Sequence, residues 1–392
     1  MKFMRSNAAS ASLAQWLFVV ACLPAIAGGC RKKSVSPTAT PWPISRSDPR
    51  EAAPVENWPQ FRGPNAQGIG TGRPPITFSE SDAAWKTPLS GSGNSSPVVW
   101  NDRIFLTAEE GSRSTPDLYV MAFDRRDGHL LWKVRAAKAS GRTHPKNGHA
   151  SASTAVDGEH VYACFGSQGL FCYDFDGNFV WHVELGDLEH IYGSAASPIL
   201  FENSVIQLCD AAKNSYLAAF DKTSGKLLWR TARDSTGSWT TPVVVPVETD
   251  RGTRFECLVN GGEFGRTGRL TAYDARTGRE LWFVDGLETL VTPVALYAND
   301  LVFSLSGRNG PIIAVEPGGE ENVTGKRERW RLPRGGPYIP SGIVYRNRLY
   351  VVGDQKTLTC YNPGDGSTIW SARLGGTFTA SLVAADGRVY AA

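Results

Sequence analysis

Residues 219–230 read AFDKTSGKLLWR, and near-copies of this stretch return along the chain about every fifty residues. The copies share a tryptophan, and aligning on it gives Trp85, Trp132, Trp181, Trp229, Trp282, Trp330 and Trp370. The spacings between these positions are 47, 49, 48, 53, 48 and 40 residues. A period of this length is typical of propeller and solenoid repeats. The repeat is therefore the feature that decides the fold.

Each copy reads as two β-strands joined by a tight turn. In the copy at 219–230, Asp221 can accept hydrogen bonds from the backbone of its own turn, and Gly225 supplies a positive φ. Two more β-rich runs precede it in ASPILFENSVIQLC at 196–209, with Glu202 and Asn203 as hairpin-turn residues. Each repeat is therefore predicted to form four antiparallel strands.

The repeated tryptophan is predicted to be a packing residue. A four-stranded unit that is apolar on both faces cannot bury itself alone, whereas a ring of such units stacks face to face and leaves no long exposed edge. A flat indole wedged between neighbouring units buries roughly 150 to 250 Å². The sequence therefore predicts an all-β propeller of four-stranded antiparallel blades.

The repeat resembles that of a known family. The spacing Ala219-x-Asp221-x-x-x-Gly225-x-x-x-Trp229 is similar to the tryptophan-docking motif of eight-bladed propellers of the pyrroloquinoline-quinone type. The opening stretch WPQFRGPNAQGIG at 58–70 resembles the entry segment of the secreted, non-dehydrogenase branch found in planctomycete-type bacteria. The resemblance implies eight blades. Because the sequence stops after the first two strands of a further repeat, we expect an eight-bladed propeller that is incomplete at its C-terminus.

The N-terminus predicts export and an anchor. Residues 1–29 read as a signal peptide with a charged start and an apolar run that is short for a membrane span. Cleavage after Ala27 fits a general signal peptidase, whereas the stretch ending in Cys30 resembles a lipobox and favours lipidation of Cys30. Residues 30–57 are rich in Ser, Thr and Pro and read as a flexible tether. The propeller is assigned to 58–392, in the periplasm or at a membrane surface, with the membrane contacted only through the lipid.

The charge distribution argues against a nucleic-acid partner. The net charge is +3, but five cations lie in the first 33 residues, which leaves 36 cations against 38 anions in the remainder. A nucleic-acid-binding surface normally needs a marked excess of positive charge.

No catalytic centre is predicted. The quinone-dependent dehydrogenases that share the repeat carry the quinone and a calcium ion on the axis, a catalytic aspartate and a disulfide between adjacent cysteines. None of these features transfers to this sequence, whose seven cysteines include no adjacent pair. We therefore expect no cofactor and no metal site. The alternative is an oxidoreductase of polyols or sugars that uses pyrroloquinoline quinone or a metal in the axial funnel.

Cys164 and Cys172 flank a turn at an even separation, so a cross-strand disulfide is one interpretation. The other is that Cys172 and Cys360 are small buried residues, because they occupy the repeat position held by alanine in Ala122, Ala219, Ala272 and Ala314. The repeat position favours the second interpretation.

A binding face is predicted on the loops. The connections between blades and the turns between second and third strands share one face of a propeller, and loops on a rigid scaffold often carry recognition. Arginine and aromatic residues are the usual anchors of protein interfaces, although a solvated loop surface remains the alternative for each residue. The candidates are His144, His149, His190, Tyr192, Asp210, Lys213, Trp239, Glu263, Arg266, Arg308, Tyr338, Asp354 and Lys356.

The predicted function is an exported, non-catalytic scaffold that binds a protein or polymer in the bacterial envelope. It resembles in fold and anchoring the propeller lipoprotein of the machinery that assembles outer-membrane β-barrels. The interblade loops would be presented to a protein partner, with strand addition at a blade edge as a further mode of binding.

Overall fold

The computed structural model describes residues 57–141, 143–144, 147–263, 265–353 and 356–392, together with the backbone of 18–20. At Glu263 it describes the backbone alone. The predicted signal peptide, Cys30 and the tether otherwise lie outside the described residues. Within the described residues, no helix is both long and apolar enough to cross a membrane.

Six sheets, each with four antiparallel strands in chain order and here called blades 1 to 6, follow one another along the described chain, and blade 4 has a fifth strand as well. In each blade the four strands are hydrogen-bonded in chain order, from an inner first strand to an outer fourth strand. Blade 1 contains β2 (Val98–Trp100), β3 (Arg103–Glu110), β4 (Asp117–Asp124) and β5 (Leu130–Lys138); blade 2 contains β6 (Ala155–Val156), β7 (His160–Cys164), β8 (Leu170–Asp174) and β9 (Phe179–Val183); blade 3 contains β10 (Ile199–Phe201), β11 (Ser204–Cys209), β12 (Tyr216–Asp221) and β13 (Leu227–Ala232).

The remaining strands form three further blades and one smaller sheet. Blade 4 contains β14 (Val243–Thr249), β15 (Gly252–Glu263), β16 (Arg266–Asp274) and β17 (Glu280–Leu287); blade 5 contains β18 (Leu296–Ala298), β19 (Leu301–Leu305), β20 (Ile312–Val315) and β22 (Glu328–Leu332); blade 6 contains β23 (Ile343–Val344), β24 (Leu349–Val352), β25 (Thr357–Tyr361) and β26 (Thr368–Arg373). A further sheet contains β27 (Val383–Ala385), β28 (Arg388–Ala391) and β1 (Phe18–Val20), and β21 (Glu321–Asn322) is added to blade 4. The predicted all-β propeller is confirmed, and the predicted number of eight blades stays a prediction.

The register within each blade explains why a small residue recurs before the turn. In blade 1, Ala122 on β4 lies between Phe105 on β3 and Trp132 on β5, and the rings of Phe105 and Trp132 lie 6.0 Å apart across it. In blade 2, Cys172 takes the same place between Tyr162 and Trp181. Because a larger side chain would separate the two aromatic rings, the repeat requires a small residue at this position.

Docking between blades uses the indole of one blade and the turn of the next. A Cβ placed on Gly225 would lie 2.9 Å from the ring of Trp181, so only a glycine allows the ring to lie against the turn. The indole N–H of Trp181 donates to the carbonyl of Lys222 in that turn at 2.9 Å. Trp132 makes the equivalent bond to Phe175. The tryptophan thereby contributes both buried area and a specific hydrogen bond.

Blade 4 docks differently. The turn that would follow β20 is replaced by a longer insert, residues 317–326. Two residues of the insert form β21, which pairs in parallel with β17, with Glu321 opposite Trp282. The indole N–H of Trp282 donates instead to Glu256 Oε2 at 2.8 Å, inside its own blade. Both side chains are fully buried. Arg254 donates to the other carboxylate oxygen, Oε1.

The hub is lined by a chain of hydroxyl groups at the start of the inner strands. The backbone N–H of Ser96 donates to Ser153 Oγ at 2.8 Å, that of Ser153 to Ser197 Oγ at 3.0 Å, and that of Ser197 to Thr241 Oγ1 at 3.1 Å. Ser341 and Ser381 continue the pattern in the later blades. Each hydroxyl thus accepts from the preceding blade.

The segment 58–70 closes one end of the hub, next to the hairpins that join first and second strands. Trp58 pairs with Val99 of blade 1, and Gly70 bonds to Ala384 of the last sheet. Arg62 is 3% exposed and donates to the carbonyls of Ala66, Gln67, Gly342 and Leu382. Burial lowers the pKa of Arg62 to about 10, so the guanidinium is still charged at neutral pH. The segment is therefore an integral plug of the ring.

Candidate binding face

The antiparallel order of the strands places two kinds of connection on one face of the ring. These are the turns between second and third strands, such as 210–215, and the connections between blades, such as 184–198. We call this the loop face. The plug at 58–70 and the docking turns lie at the opposite end of the strands.

Four predicted residues meet in an aromatic cluster on the loop face. The rings of His190 and Trp239 lie edge to face, with centroids 4.3 Å apart, and Tyr192 lies 5.3 Å from Trp239. His144 packs edge-on against Tyr192 at 5.3 Å. These four side chains come from three successive connections, between blades 1 and 2, 2 and 3, and 3 and 4.

Backbone hydrogen bonds hold the cluster in place. The indole N–H of Trp239 donates to the carbonyl of Gly193 at 2.8 Å, and Asn147 Nδ2 donates to the carbonyl of Tyr192 at 2.8 Å. His190 Nε2 lies 2.7 Å from the carbonyl of Thr236. Because the bonds join separate connections, the aromatic surface is fixed by the scaffold and is ready to bind without a large loss of entropy.

Arg308 and Tyr338 extend the cluster to blades 5 and 6. The guanidinium of Arg308 lies 5.0 Å from the ring of Tyr338 and donates to its hydroxyl at 3.3 Å. The Tyr338 hydroxyl raises the pKa of Arg308, and Tyr192 adds to the effect. We call His144, His190, Tyr192, Trp239, Arg308 and Tyr338 the loop-face cluster.

Within the cluster, His190 and Arg308 differ in charge. Burial lowers the pKa of His190, which is 5% exposed, so its imidazole is neutral at neutral pH. Arg308 is exposed and remains charged. Next to Tyr192, Ile191 leaves 58% of its side chain in solvent. The loop-face cluster therefore presents the Arg308 guanidinium on an aromatic base, with the aliphatic side chain of Ile191 next to it in sequence.

Asp210 is on the loop face but does not offer a free carboxylate. It forms a bidentate pair with Arg233 at 2.8 and 3.2 Å, and the two side chains are only 2% and 3% exposed. Arg233 also donates to the hydroxyl of Tyr273 at 2.7 Å. A cavity of about 290 Å³ opens beside this pair between blades 3 and 4. Arg233, which is paired with Asp210 inside blade 3, bonds to Tyr273 of blade 4, so Asp210 is placed as a structural residue.

The other predicted residues lie apart from the cluster. Lys213, Arg266 and Lys356 are exposed, each in or beside a turn between second and third strands. Glu263 pairs with Arg266 in the backbone register of β15 and β16. Asp354 lies outside the described residues.

His149 lines a small cavity that sequence reasoning did not anticipate. The cavity, of about 20 Å³, is also lined by Cys164, Gln207 and Asp210. His149 Nε2 and Gln207 Oε1 are buried without a protein partner, whereas Gln207 Nε2 donates to two backbone carbonyls, those of Ala196 and Leu208. Burial lowers the pKa of His149, so its ring is neutral. The volume is enough for one ordered water.

The cysteines of the described residues are reduced and buried. Cys164 and Cys172 are free thiols, and Cys172 and Cys360 are 0% and 1% exposed, which confirms that the repeat position needs a small buried residue. Burial raises the pKa of Cys164 to about 12, so it is protonated. Among the described residues, no group of three or more His, Cys, Asp or Glu side chains is arranged to hold a metal ion.

The fold and the docking geometry define a β-propeller built from quinoprotein-type repeats. The family model described as outer membrane protein assembly factor BamB matches residues 79–190, 116–252 and 266–392. The chain belongs to this family. No curated protein matches the chain.

Similar solved structures were also found. BamB from Moraxella catarrhalis is 16% identical, with a TM-score of 0.50 over 77% of this chain and 92% of that one. The quinohemoprotein alcohol dehydrogenase from Comamonas testosteroni is 11% identical, with a TM-score of 0.47 over 87% of this chain and 77% of that one. A europium-containing methanol dehydrogenase is 7% identical, with a TM-score of 0.46 over 85% of this chain and 88% of that one.

Proposed function

We propose that this chain is an exported, non-catalytic scaffold of the bacterial envelope that binds a protein partner through its loop face. The observation that carries the proposal is the loop-face cluster, in which connections from distant blades bring aromatic rings and one exposed arginine together. Membership of a family described by outer-membrane protein assembly supports an envelope partner. A partner in the same assembly process is the natural candidate.

The chemistry of the cluster suits a protein interface. Tyrosine, tryptophan and arginine are the residues that most often dominate binding energy, because they offer large contact areas with little conformational freedom to lose. Arg308, held over Tyr338, can pair with a carboxylate of the partner. Ile191, with 58% of its side chain exposed, can fill an apolar pocket.

The filling of the hub supports a role in binding. At one end the plug places Arg62 among four backbone carbonyls, and at the other the loop-face cluster contains side chains from the connection between blades 1 and 2 through to that between blades 5 and 6. Contacts between separate blades are thus present at both ends of the strands. The residues conserved by the repeat itself, such as Trp132 and Gly177, are used in docking between blades.

The export and anchoring proposed for the chain depend on residues 1–57. We propose that Cys30 carries lipid and that the following tether holds the propeller near a membrane surface. Replacing Cys30 with serine should release the protein from the membrane fraction, as judged by fractionation. Membrane retention of the C30S variant would contradict lipidation.

A photo-cross-linking experiment tests the loop face. A photoreactive residue at position 191 should cross-link to one discrete envelope protein in cells, and Arg308→Ala should reduce the yield at least about tenfold, as expected for a hot-spot arginine. The same photoreactive residue at Leu89, which is 53% exposed in the segment before blade 1, is the matched control. Equal labelling patterns from 191 and 89 would contradict the proposal.

The non-catalytic part of the proposal has its own test. Purified protein mixed with pyrroloquinoline quinone and calcium, and separately with divalent metals, is assayed for dye reduction with alcohols and sugars. We expect no turnover. Substrate-dependent dye reduction would establish an oxidoreductase in place of a scaffold.

A further inference from the structure

The outer strands of blades 1 to 3 share an apolar feature that the loop face does not use. Each of these strands begins with two exposed apolar side chains directly before its docking tryptophan. We call these six residues the apolar rim: Leu130 and Leu131 at 41% each, Phe179 at 62%, Val180 at 38%, Leu227 at 50% and Leu228 at 51% exposed. Single exposed apolar residues are ordinary, but a pair that recurs on three successive edge strands is not.

These outer strands are edges of their sheets. In the described topology, β5, β9 and β13 each pair with one strand, the third strand of the same blade. The outer side of an edge strand offers backbone N–H and C=O groups to another chain, which natural proteins usually block with charged residues, proline or a covering segment. Here the first two residues of each edge are apolar.

Blade 4 shows what covers such an edge. Its outer strand begins with Glu280 and Leu281, and Leu281 is only 4% exposed. The insert supplies β21, which pairs in parallel with Trp282 and Phe283, and the next residue, Val323, donates its backbone N–H to the carbonyl of Phe283 at 3.0 Å. Leu281 and Val323 belong to the same buried cluster.

The β-bulge before the tryptophan does not prevent this pairing. In blade 4 the register shifts between Ala272 and Tyr273, and the added strand begins immediately after the shift, at Trp282. Blade 3 has the same shift, between Ala219 and Phe220, so its strand offers the equivalent positions Trp229 and Arg230. The register that accepts a fifth strand in blade 4 is therefore repeated in blade 3, where the docking turn of blade 4 contacts Trp229 and Thr231 at Gly278.

Blade 3 also indicates the charge of the occupant. Arg230 lies on the edge strand with its guanidinium 3.8 Å from the ring centroid of Tyr216, and it has no carboxylate partner among the described residues. In blade 4 the covering insert carries Glu320 and Glu321 next to the paired positions. An acidic segment therefore complements the edge of blade 3.

We propose that the apolar rim binds an extended segment of a partner polypeptide, which adds as a parallel fifth strand to the outer strand of blade 3 and, more weakly, to those of blades 1 and 2. The backbone ladder provides the pairing, an apolar residue of the segment covers Leu227 and Leu228, and an acidic residue pairs with Arg230. This surface is separate from the loop face, so either proposal can fail without the other.

The test uses a synthetic peptide with the sequence of the insert, residues 317–326. Hydrogen exchange of the backbone amides at 229–232 is measured in the intact protein with and without millimolar peptide. We expect exchange to slow at least about fivefold, because pairing protects edge amides. The double variant Leu227→Glu, Leu228→Glu should abolish the protection, and so should the milder pair Leu227→Ser, Leu228→Ser.

Two controls make the result specific. Ile191→Glu changes an equally exposed apolar residue on the loop face and should leave the protection unchanged. Arg230→Glu should lose binding of the acidic peptide and regain it with a peptide in which both glutamates are lysine. If the protection from hydrogen exchange is the same with and without these charge changes, the proposed recognition is wrong.

A variant of blade 4 serves as the positive control for peptide binding. In a variant whose insert is shortened to a turn, the same peptide should protect Trp282 and Phe283. If it protects that vacated edge but none of the outer strands of blades 1 to 3 at equal concentration, the proposal is wrong. Self-association or binding to phosphatidylglycerol vesicles that disappears in the double glutamate variant would likewise overturn it, in favour of a second copy or a lipid surface.

Discussion

Blade 4 and blades 1 to 3 solve the same docking problem with different residues. In blades 1 and 2, Trp132 and Trp181 lie against the glycine of the next docking turn and donate to a turn carbonyl. In blade 4, Trp282 donates to the buried carboxylate of Glu256 and is covered by an added strand. Docking therefore requires a flat partner and an acceptor for the indole N–H, and the turn motif is one way to supply both.

The largest expected effect comes from removing the tryptophan on each side of the comparison. Trp282 is fully buried, so Trp282→Ala should lower the free energy of unfolding by about 4 kcal/mol. Trp132 is partly exposed, so Trp132→Ala should cost roughly half as much, because part of its area is already in water. Denaturant unfolding of both variants measures the difference. Equal losses would show that the two docking modes are energetically equivalent.

The next effect concerns the acceptor of the indole N–H. Glu256→Ala leaves the Arg254 guanidinium and the Trp282 N–H without their buried partner, and should cost about 3 kcal/mol. Glu256→Gln keeps an acceptor and should cost less. In blades 1 and 2 the acceptor of the indole N–H is a backbone carbonyl, so no side-chain substitution removes it. Thermal unfolding of the two variants compares them, and an alanine variant as stable as the glutamine variant would contradict the role of the carboxylate.

A smaller effect is expected at the docking turn. Gly225 has a φ of 69°, and a Cβ there would lie 2.9 Å from the ring of Trp181. Gly186 has a φ of 83° but open space around it, so Gly186→Ala measures the backbone strain alone. We expect Gly225→Ala to cost about 1 kcal/mol more than Gly186→Ala, from the displaced ring. The difference between their urea midpoints gives this value, and a difference of zero would mean that the ring moves freely.

The smallest effect is on pH dependence, and its sign differs between the two docking modes. Burial raises the pKa of Glu256 in the folded protein, so its contribution to stability is present at low pH and is lost as the pH rises through the raised value. At the standard turn of blade 3, hydrogen bonds from Thr223 and Ser224 lower the pKa of Asp221 to about 2, so its contribution is lost as the pH falls through that value.

Stability measured against pH for two variants checks these signs. Relative to the wild type, Glu256→Gln should gain stability as the pH rises above the ordinary range for glutamate. Asp221→Asn should remove part of the loss of stability that the wild type shows as the pH falls from about 4 to about 2. Parallel curves for the wild type and both variants would contradict the assigned shifts.

The repeated part of the structure could be predicted from the sequence because it obeys one physical rule at every copy. A tryptophan, a small residue such as Ala219 and a turn glycine such as Gly225 recur at fixed spacing, and that spacing predicts strands, turns and packing together. The deviation in blade 4 could be located, since an insert precedes Trp330, but its added strand could not. Nothing in the local pattern of Glu321 and Asn322 distinguishes a covering strand from a loop.

The binding face was predictable as a region and not as a set of contacts. The rule that loops share one face brought His190, Tyr192, Trp239 and Arg308 into one set, and the structure joins them. The same rule included Asp210, whose charge is neutralised by Arg233, a residue that has no repeat position to reveal it. Contacts across the hub depend on the curvature of the whole ring, which no local stretch encodes.

The plug residue Arg62 constrains the order in which parts of the chain fold. Two of its four acceptors lie 280 and 320 residues further along the chain, at Gly342 and Leu382. Such distant partners form late, since closing a long loop is entropically costly and slows folding. The segment that carries Arg62 therefore stays without two of its four acceptors until the chain as far as Leu382 has folded, which leaves a buried-type guanidinium exposed for most of the folding process.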